Sequence, residues 1–272
     1  MKALIRKLPP VAEFCLVIFL FAGVTIVSRT RMLFKGFGQP PNPAPIHILN
    51  SGLIWQALFE LLMLGVVLWI GRIRGWSLKT FGLRPSWKWT AAGVVLFFTV
   101  GLTARFIGAI IKLLAPALLP SVLQTHVVSE LSLPFIVLIS AINPVFEESL
   151  WGGYFVHSLK RYGKWTAVLA SAFLRTFCHA HLGIRALVSI LPMGVIYGLV
   201  YWRWRQLWPL VVAHSLQMLF SLLGQLYGVS PTGDSQTRYQ VIWYIIGFTV
   251  ILICAFMAWL SQKNRTQEND TA

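Results

Sequence analysis

Residues 131–156 read LSLPFIVLISAINPVFEESLWGGYFV, an apolar stretch whose only charges are two adjacent carboxylates, Glu147 and Glu148. As a helix, a run of this length covers a hydrocarbon core of about 30 Å, and isolated strands could not satisfy their backbone there. The rest of the 272-residue chain has the same character, being 57% hydrophobic and 11% charged with mean hydropathy +0.70. Soluble domains carry about 25% charged residues. Seven further apolar runs are predicted as spans: Val11–Val27, Leu53–Ile70, Thr90–Leu114, Trp165–Leu182, Ala186–Trp202, Leu207–Gly224 and Val241–Leu260. The expected fold is all-α, a polytopic membrane helical bundle of about eight transmembrane helices forming one membrane domain.

The first run follows Lys2, Arg6 and Lys7 as a signal peptide would, but no A-x-A-like site closes it, so it is read as a retained helix. Between the first two spans, Gly38-Gln39-Pro40-Pro41-Asn42-Pro43-Ala44-Pro45 cannot be helical and reads as an extended loop. Arg72 to Lys88 is basic, with Trp76, Leu78, Phe81 and Leu83 interleaved, the pattern of a segment lying in the interface. Cys15, Cys178 and Cys254 all fall in apolar runs, an odd scattered set that makes no disulfide framework.

A net charge of +15 raises the question of nucleic acid. The basic residues sit at the ends of apolar segments and form no one-faced patch, which points instead to anionic headgroups and to membrane lipids as partners. With eight spans, fifteen Lys and Arg lie on the side of the termini and five on the other. The positive-inside rule then predicts a multi-pass protein of the cell membrane with both termini cytoplasmic.

Only eight acidic residues exist. An ionised carboxylate in lipid costs several kcal/mol, on the order of 2.5–3.5 even on lenient scales, so such groups face a cavity or a partner. If Asn143-Pro144 ended the helix, Glu147 and Glu148 would instead sit at an interface. Glu60, alone in the second span, is expected to pair with a basic residue such as Arg105. The candidate partners of the glutamate pair are His179 and His181 in the fifth span and His214 in the seventh. If spans four and five turn near Gly163, Glu147 lies 16 residues before the turn and His181 lies 18 after it. Their depths then differ by about 3 Å. His214 comes to about the same level from the Arg203/Arg205 end. Residues four apart share a helix face, so Phe177 and His181 point together and His179 points away, beside Arg175, in a role that is either structural or catalytic.

Three stretches in order carry a family resemblance. They are Glu147-Glu148-Ser149-Leu150-Trp151-Gly152-Gly153-Tyr154; Ser171-Ala172-Phe173 through Phe177-Cys178-His179-Ala180-His181-Leu182; and Gly194 to Tyr201 followed by Leu207-Trp208-Pro209 and Ala213-His214-Ser215. They resemble the Glu-Glu-x-x-x-Arg-Gly, Phe-x-x-x-His and Gly-rich, Leu-Trp-x-Pro, His-x-x-x-Asn boxes of the CAAX prenyl endopeptidase and bacteriocin-processing (CPBP, or Abi) membrane proteases. Phe81-Gly82-Leu83-Arg84-Pro85-Ser86 is similar to a segment that often precedes that core. The resemblance divides the chain into N-terminal helices and the start of the interfacial segment (1–75), a catalytic core (76–224) and a C-terminal helix and tail (225–272).

The resemblance implies an intramembrane endopeptidase acting on a membrane-associated peptide or protein, with no cofactor. Glu147 would activate water, Glu148 would be its neighbour, His181 would assist and His214 would hold the oxyanion. Two positions depart from the pattern. The family arginine falls on Gly152, which carries no charge, and the asparagine after the second histidine falls on Met218, whose thioether donates no hydrogen bond. Arg175, 12 residues after Gly163 where Gly152 is 11 before it, could replace the arginine, and Gln217 could supply an amide. Other readings stay open. Glu147, His181 and His214 are plausible zinc ligands by number and type; a catalytically degenerate scaffold or immunity-type protein would keep the fold; and intramembrane acids also mark transporters.

Overall fold

A computed structural model describes residues 17–19, 46–48, 50–114, 127–129, 131–179 and 186–227. Most of the first expected span, the Pro-rich loop, His181 and the eighth span lie outside the described residues. Within them the chain is helical apart from two three-residue strands, β1 (Ile46–Ile48) and β2 (Val127–Ser129), paired in parallel.

The helices are α1 (Asn50–Ile73), the short α2 (Leu78–Phe81), α3 (Trp87–Leu114), α4 (Leu133–Glu148), α5 (Lys164–Cys178), α6 (Leu191–Trp204) and α7 (Trp208–Leu226). Four stretches are long and apolar enough to cross a membrane: Asn50–Ile73, Trp87–Ile111, Leu133–Tyr162 and Ala186–Trp204, with Trp208–Gly224 a shorter apolar helix. Large apolar side chains on the outer faces, such as Leu62, Phe106, Leu113 and Val137, are exposed, as lipid-facing residues are.

Prolines open α4 and α6, where the missing N–H has no intrahelical partner in any case. Pro144 does not end α4. The helix runs through it and continues as a π-helical segment, Ser149–Val156, every residue of which is buried. Gly163, at φ 94°, makes the turn into α5. Gly82, at φ 72°, is needed twice over, because a Cβ there would run into the carbonyl oxygen of Arg205. Its own carbonyl accepts from the Leu207 N–H at 3.0 Å, which ties the interfacial segment to the α6–α7 turn.

Helix α7 packs on α3 and α4, α5 on α6, and α1 on α4. The core is built around Phe81, Tyr197, Tyr201, Leu207 and Leu210 at one end. A second cluster joins Val67, Ile70, Phe146 and Trp151, and a third joins Leu53, Ile136, Ile139 and Leu222. The α4 to α7 bundle thereby holds its polar residues between apolar layers.

Candidate active site

Helix α4 delivers Glu147 and Glu148 at its last turn, α5 delivers Arg175 at its own last turn, and α7 delivers His214. The Arg175 guanidinium lies between the two carboxylates. Its Nη2 donates to Glu148 Oε1 at 2.6 Å and to Glu147 Oε2 at 3.0 Å, and its Nη1 donates to Glu148 Oε2 at 3.3 Å. The pairing with Glu148 is the bidentate fork that guanidinium geometry favours. Tyr197 closes the other side, its ring centroid 5.6 Å from the guanidinium carbon.

His214 Nδ1 is 2.8 Å from Glu148 Oε1 and 3.1 Å from Arg175 Nη2. A guanidinium and an N–H cannot donate to one another, so the shorter contact assigns the Nδ1 proton to the carboxylate. That leaves Nε2 available. Exposure separates the two acids: the Glu148 side chain is 1% exposed, that of Glu147 15% and that of His214 13%. Glu148 is a buried anchor, and Glu147 and His214 are the groups that solvent or a ligand can reach.

Helix α5 has 15 residues, about 22 Å at 1.5 Å per residue, too short to cross a 30 Å core. Its last carbonyls have no partner within the helix. His179 answers this: with φ −103° it leaves the helix, and its Nδ1 donates to the Arg175 carbonyl at 2.9 Å. The helical face argument therefore does not carry to His179. His179, expected to point away from the acids, lies within electrostatic reach of Glu147. Phe177, expected on the site face, is 57% exposed on the outside of the bundle. His181 is outside the described residues.

A second layer of polar residues joins the cluster. Asn143, one helical turn before Glu147, donates from Nδ2 to Glu60 Oε1 at 2.7 Å and approaches Glu147 Oε1 at 3.4 Å. Glu60 is held by this amide and by Gln56 Nε2 at 2.8 Å, rather than by Arg105. Tyr197 donates to Gln217 Oε1 at 3.3 Å, which orients the Gln217 amide. Asn143 carried a signal in its i, i+4 spacing to Glu147 that its reading as a helix breaker hid; Tyr197 carried none.

Gly152 lines a water-sized cavity of about 10 Å³ with Glu148, Arg175 and Tyr197. A Cβ there would meet Leu207 Cδ2 at 3.0 Å. Met218 packs into the apolar cluster around Leu222. Among the described residues no three His, Cys, Asp or Glu side chains form a metal-binding group. A divalent ion on Glu147 and His214 would also stand against the Arg175 charge.

A helical membrane protein whose buried acids and histidine converge from three helices is thus defined by fold and site. Residues 129–220, which hold all of that cluster but Glu60 and Gln56, match the family model described as type II CAAX prenyl endopeptidase Rce1-like. Over the matched segment, about a third of the chain, the protein carries an Rce1-like domain, in line with the resemblance to the CAAX proteases. Residues 76–128 lie outside the match. No curated protein and no solved structure matches the chain.

Proposed function

We propose that this protein is an intramembrane endopeptidase in which Glu147 activates water for attack on a peptide bond of a membrane-associated substrate. The observation that carries the reading is the asymmetry of the acid pair: Glu148 is locked by Arg175 and His214, while Glu147, 15% exposed, keeps an oxygen free of the guanidinium. Glu147 takes a proton from water as the hydroxide oxygen bonds to the carbonyl carbon, and the same proton passes to the departing amine when the C–N bond breaks. His214 in its imidazolium form donates from both nitrogens, Nδ1 to Glu148 and Nε2 to the oxyanion. The formal charge of the two glutamates, Arg175 and His214 then sums to zero, which suits a low-dielectric site. Arg175 stands in for the guanidinium that Gly152 lacks. No metal is required by this scheme, so a chelator should leave activity unchanged.

The test is cleavage of membrane-anchored peptides by purified wild type and Glu147→Gln in proteoliposomes. Loss of about two orders of magnitude or more in the variant is expected, the usual size of a general-base contribution. Equal rates would remove glutamate catalysis from consideration. A second reading, a scaffold that keeps the fold without the activity, is favoured by one observation: the Met218 side chain packs among apolar residues where the family pattern has an amide. No cleavage by wild type of any peptide in the series, with the fold intact, would support it.

A further inference from the structure

We propose that the cavity between the end of α1 and α2 binds one anionic phospholipid, its phosphate held by Arg72 and Lys79 and the start of an acyl chain lying along Leu68, Trp76 and Phe81. The cavity has a volume of about 500 Å³, and its lining is these five residues with Ser77. That is within the range of about 300–1,000 Å³ typical of ligand sites. It opens where α1, a membrane-crossing stretch, ends at Ile73, the level at which headgroups meet a span.

Its walls are preformed. The Trp76 ring centroid is 4.5 Å from that of His157 and 5.9 Å from those of Phe81 and Tyr154, and the Trp76 N–H donates to the Gly71 carbonyl at 2.8 Å. Gly71 lets the Phe81 ring close on the α1 backbone, because a Cβ there would meet Phe81 Cζ at 3.0 Å. Ser77 and Thr80 exchange backbone and hydroxyl hydrogen bonds at 3.1 and 3.2 Å, which fixes the start of α2 and the base of Lys79. Little ordering is then left for a ligand to impose.

Charge selects the occupant. Arg72 and Lys79 are exposed, and the only acids among the described residues, Glu60, Glu147 and Glu148, lie within the spans and not at this end. Two cations with no acid beside them among the described residues, above an apolar slot, match a ligand with a phosphate at one end and a hydrocarbon at the other. A guanidinium beside an ammonium is a phosphate-binding pair, and Trp at this level is typical of the membrane interface. An acidic peptide would match the cations but not the slot.

The experiment is native mass spectrometry of the full chain released from nanodiscs of phosphatidylglycerol and phosphatidylcholine in equal amounts with identical acyl chains. Wild type should retain phosphatidylglycerol about tenfold or more over phosphatidylcholine, as two basic residues near the surface warrant. Arg72→Ala with Lys79→Ala should abolish the preference. Arg161→Ala with Lys164→Ala, an exposed basic pair at the same end but outside the cavity, should keep it. Leu68→Trp, which fills the slot and leaves both charges in place, should lower retention as well. Wild type without a preference, an equal loss in the two double variants, or full retention by Leu68→Trp would each overturn the proposal.

Discussion

Arg175 is 1% exposed and touches both acids, so its removal leaves two carboxylates without their cation inside a membrane bundle. Breaking a buried pair in this way costs about 3–5 kcal/mol. Arg175→Ala should accordingly lower thermal stability in detergent sharply, and unchanged melting would show that the guanidinium does not anchor the pair. Gly152→Arg should act with opposite sign in two backgrounds. In the wild type the cavity beside Gly152 is water-sized and Leu207 sits 3.0 Å from the added Cβ, so the larger side chain should destabilise by about 1–3 kcal/mol of overpacking. In the Arg175→Ala background the vacated volume and the orphaned Glu148 should turn the same substitution into a partial rescue, read as a recovered melting temperature. Destabilisation of equal size in both backgrounds would refute the substitution of one arginine by the other. The level of Arg175 beside the acids was legible because depth follows from residue count about Gly163. The placement of His179 was not, because face-sharing presumes a helix and the helix ends at Cys178.

At the scale of elements, the site depends on how closely α5 and α6 approach. Gly194 and Gly198 lie one turn apart on α6, and a Cβ on the first would meet Ala172 Cα at 3.0 Å, and on the second Val168 Cγ1 at 2.9 Å. Small residues so spaced let two backbones meet where no hydrophobic force drives helices together in lipid. Ser171, next to Ala172, donates to the Trp151 carbonyl at 2.8 Å, so the same α5 face also grips the π-helical segment behind the acids. Gly194→Val meets backbone that cannot step aside, and should cost about 1–3 kcal/mol by overpacking, with Glu147-dependent cleavage falling alongside. Gly52→Val, where a Cβ meets nothing within 4 Å, is the control that should leave both unchanged apart from its helix propensity. A Gly194→Val protein as stable as the control would detach the α5–α6 contact from the argument. The four stretches long and apolar enough to cross a membrane were legible from their length and apolarity. The π-helical turns were not, since a π-helix at Ser149–Val156 draws on the same residues as an α-helix and only the packing decides between them.

For the whole molecule, contacts gather the loops into two ends. Trp76 against His157, Trp89 against Trp204 at 5.5 Å, and the Trp208 indole donating to Thr90 Oγ1 at 2.9 Å bring the α1–α3 segment, the Gly163 turn region and the α6–α7 turn to one end. Asn50 Oδ1 accepting from the Ser132 N–H at 3.2 Å, with the β1–β2 pair beside it, marks the other. The first end carries Arg72, Arg74, Lys79, Arg84, Lys88, Lys160, Arg161, Lys164, Arg203 and Arg205, with cations over Trp89, Tyr162, Trp165 and Trp202. The positive-inside rule predicts from such a basic and aromatic belt that this end is cytoplasmic, and the chain termini with it if the first and eighth spans cross as the sequence predicts. In a cysteine-free background of Cys15, Cys178 and Cys254, Arg161→Cys and Lys79→Cys should be labelled by a membrane-impermeant maleimide only after the cells are opened, and Leu133→Cys, exposed at the other end, before it. Labelling of Arg161→Cys and Lys79→Cys in intact cells would invert the protein in the membrane, and labelling of one without the other would break the two-ended arrangement itself. With Glu147 near the middle of the stretch Leu133–Tyr162, neither end is much nearer, and on the proposed reading a substrate would reach it from within the bilayer rather than from bulk solvent.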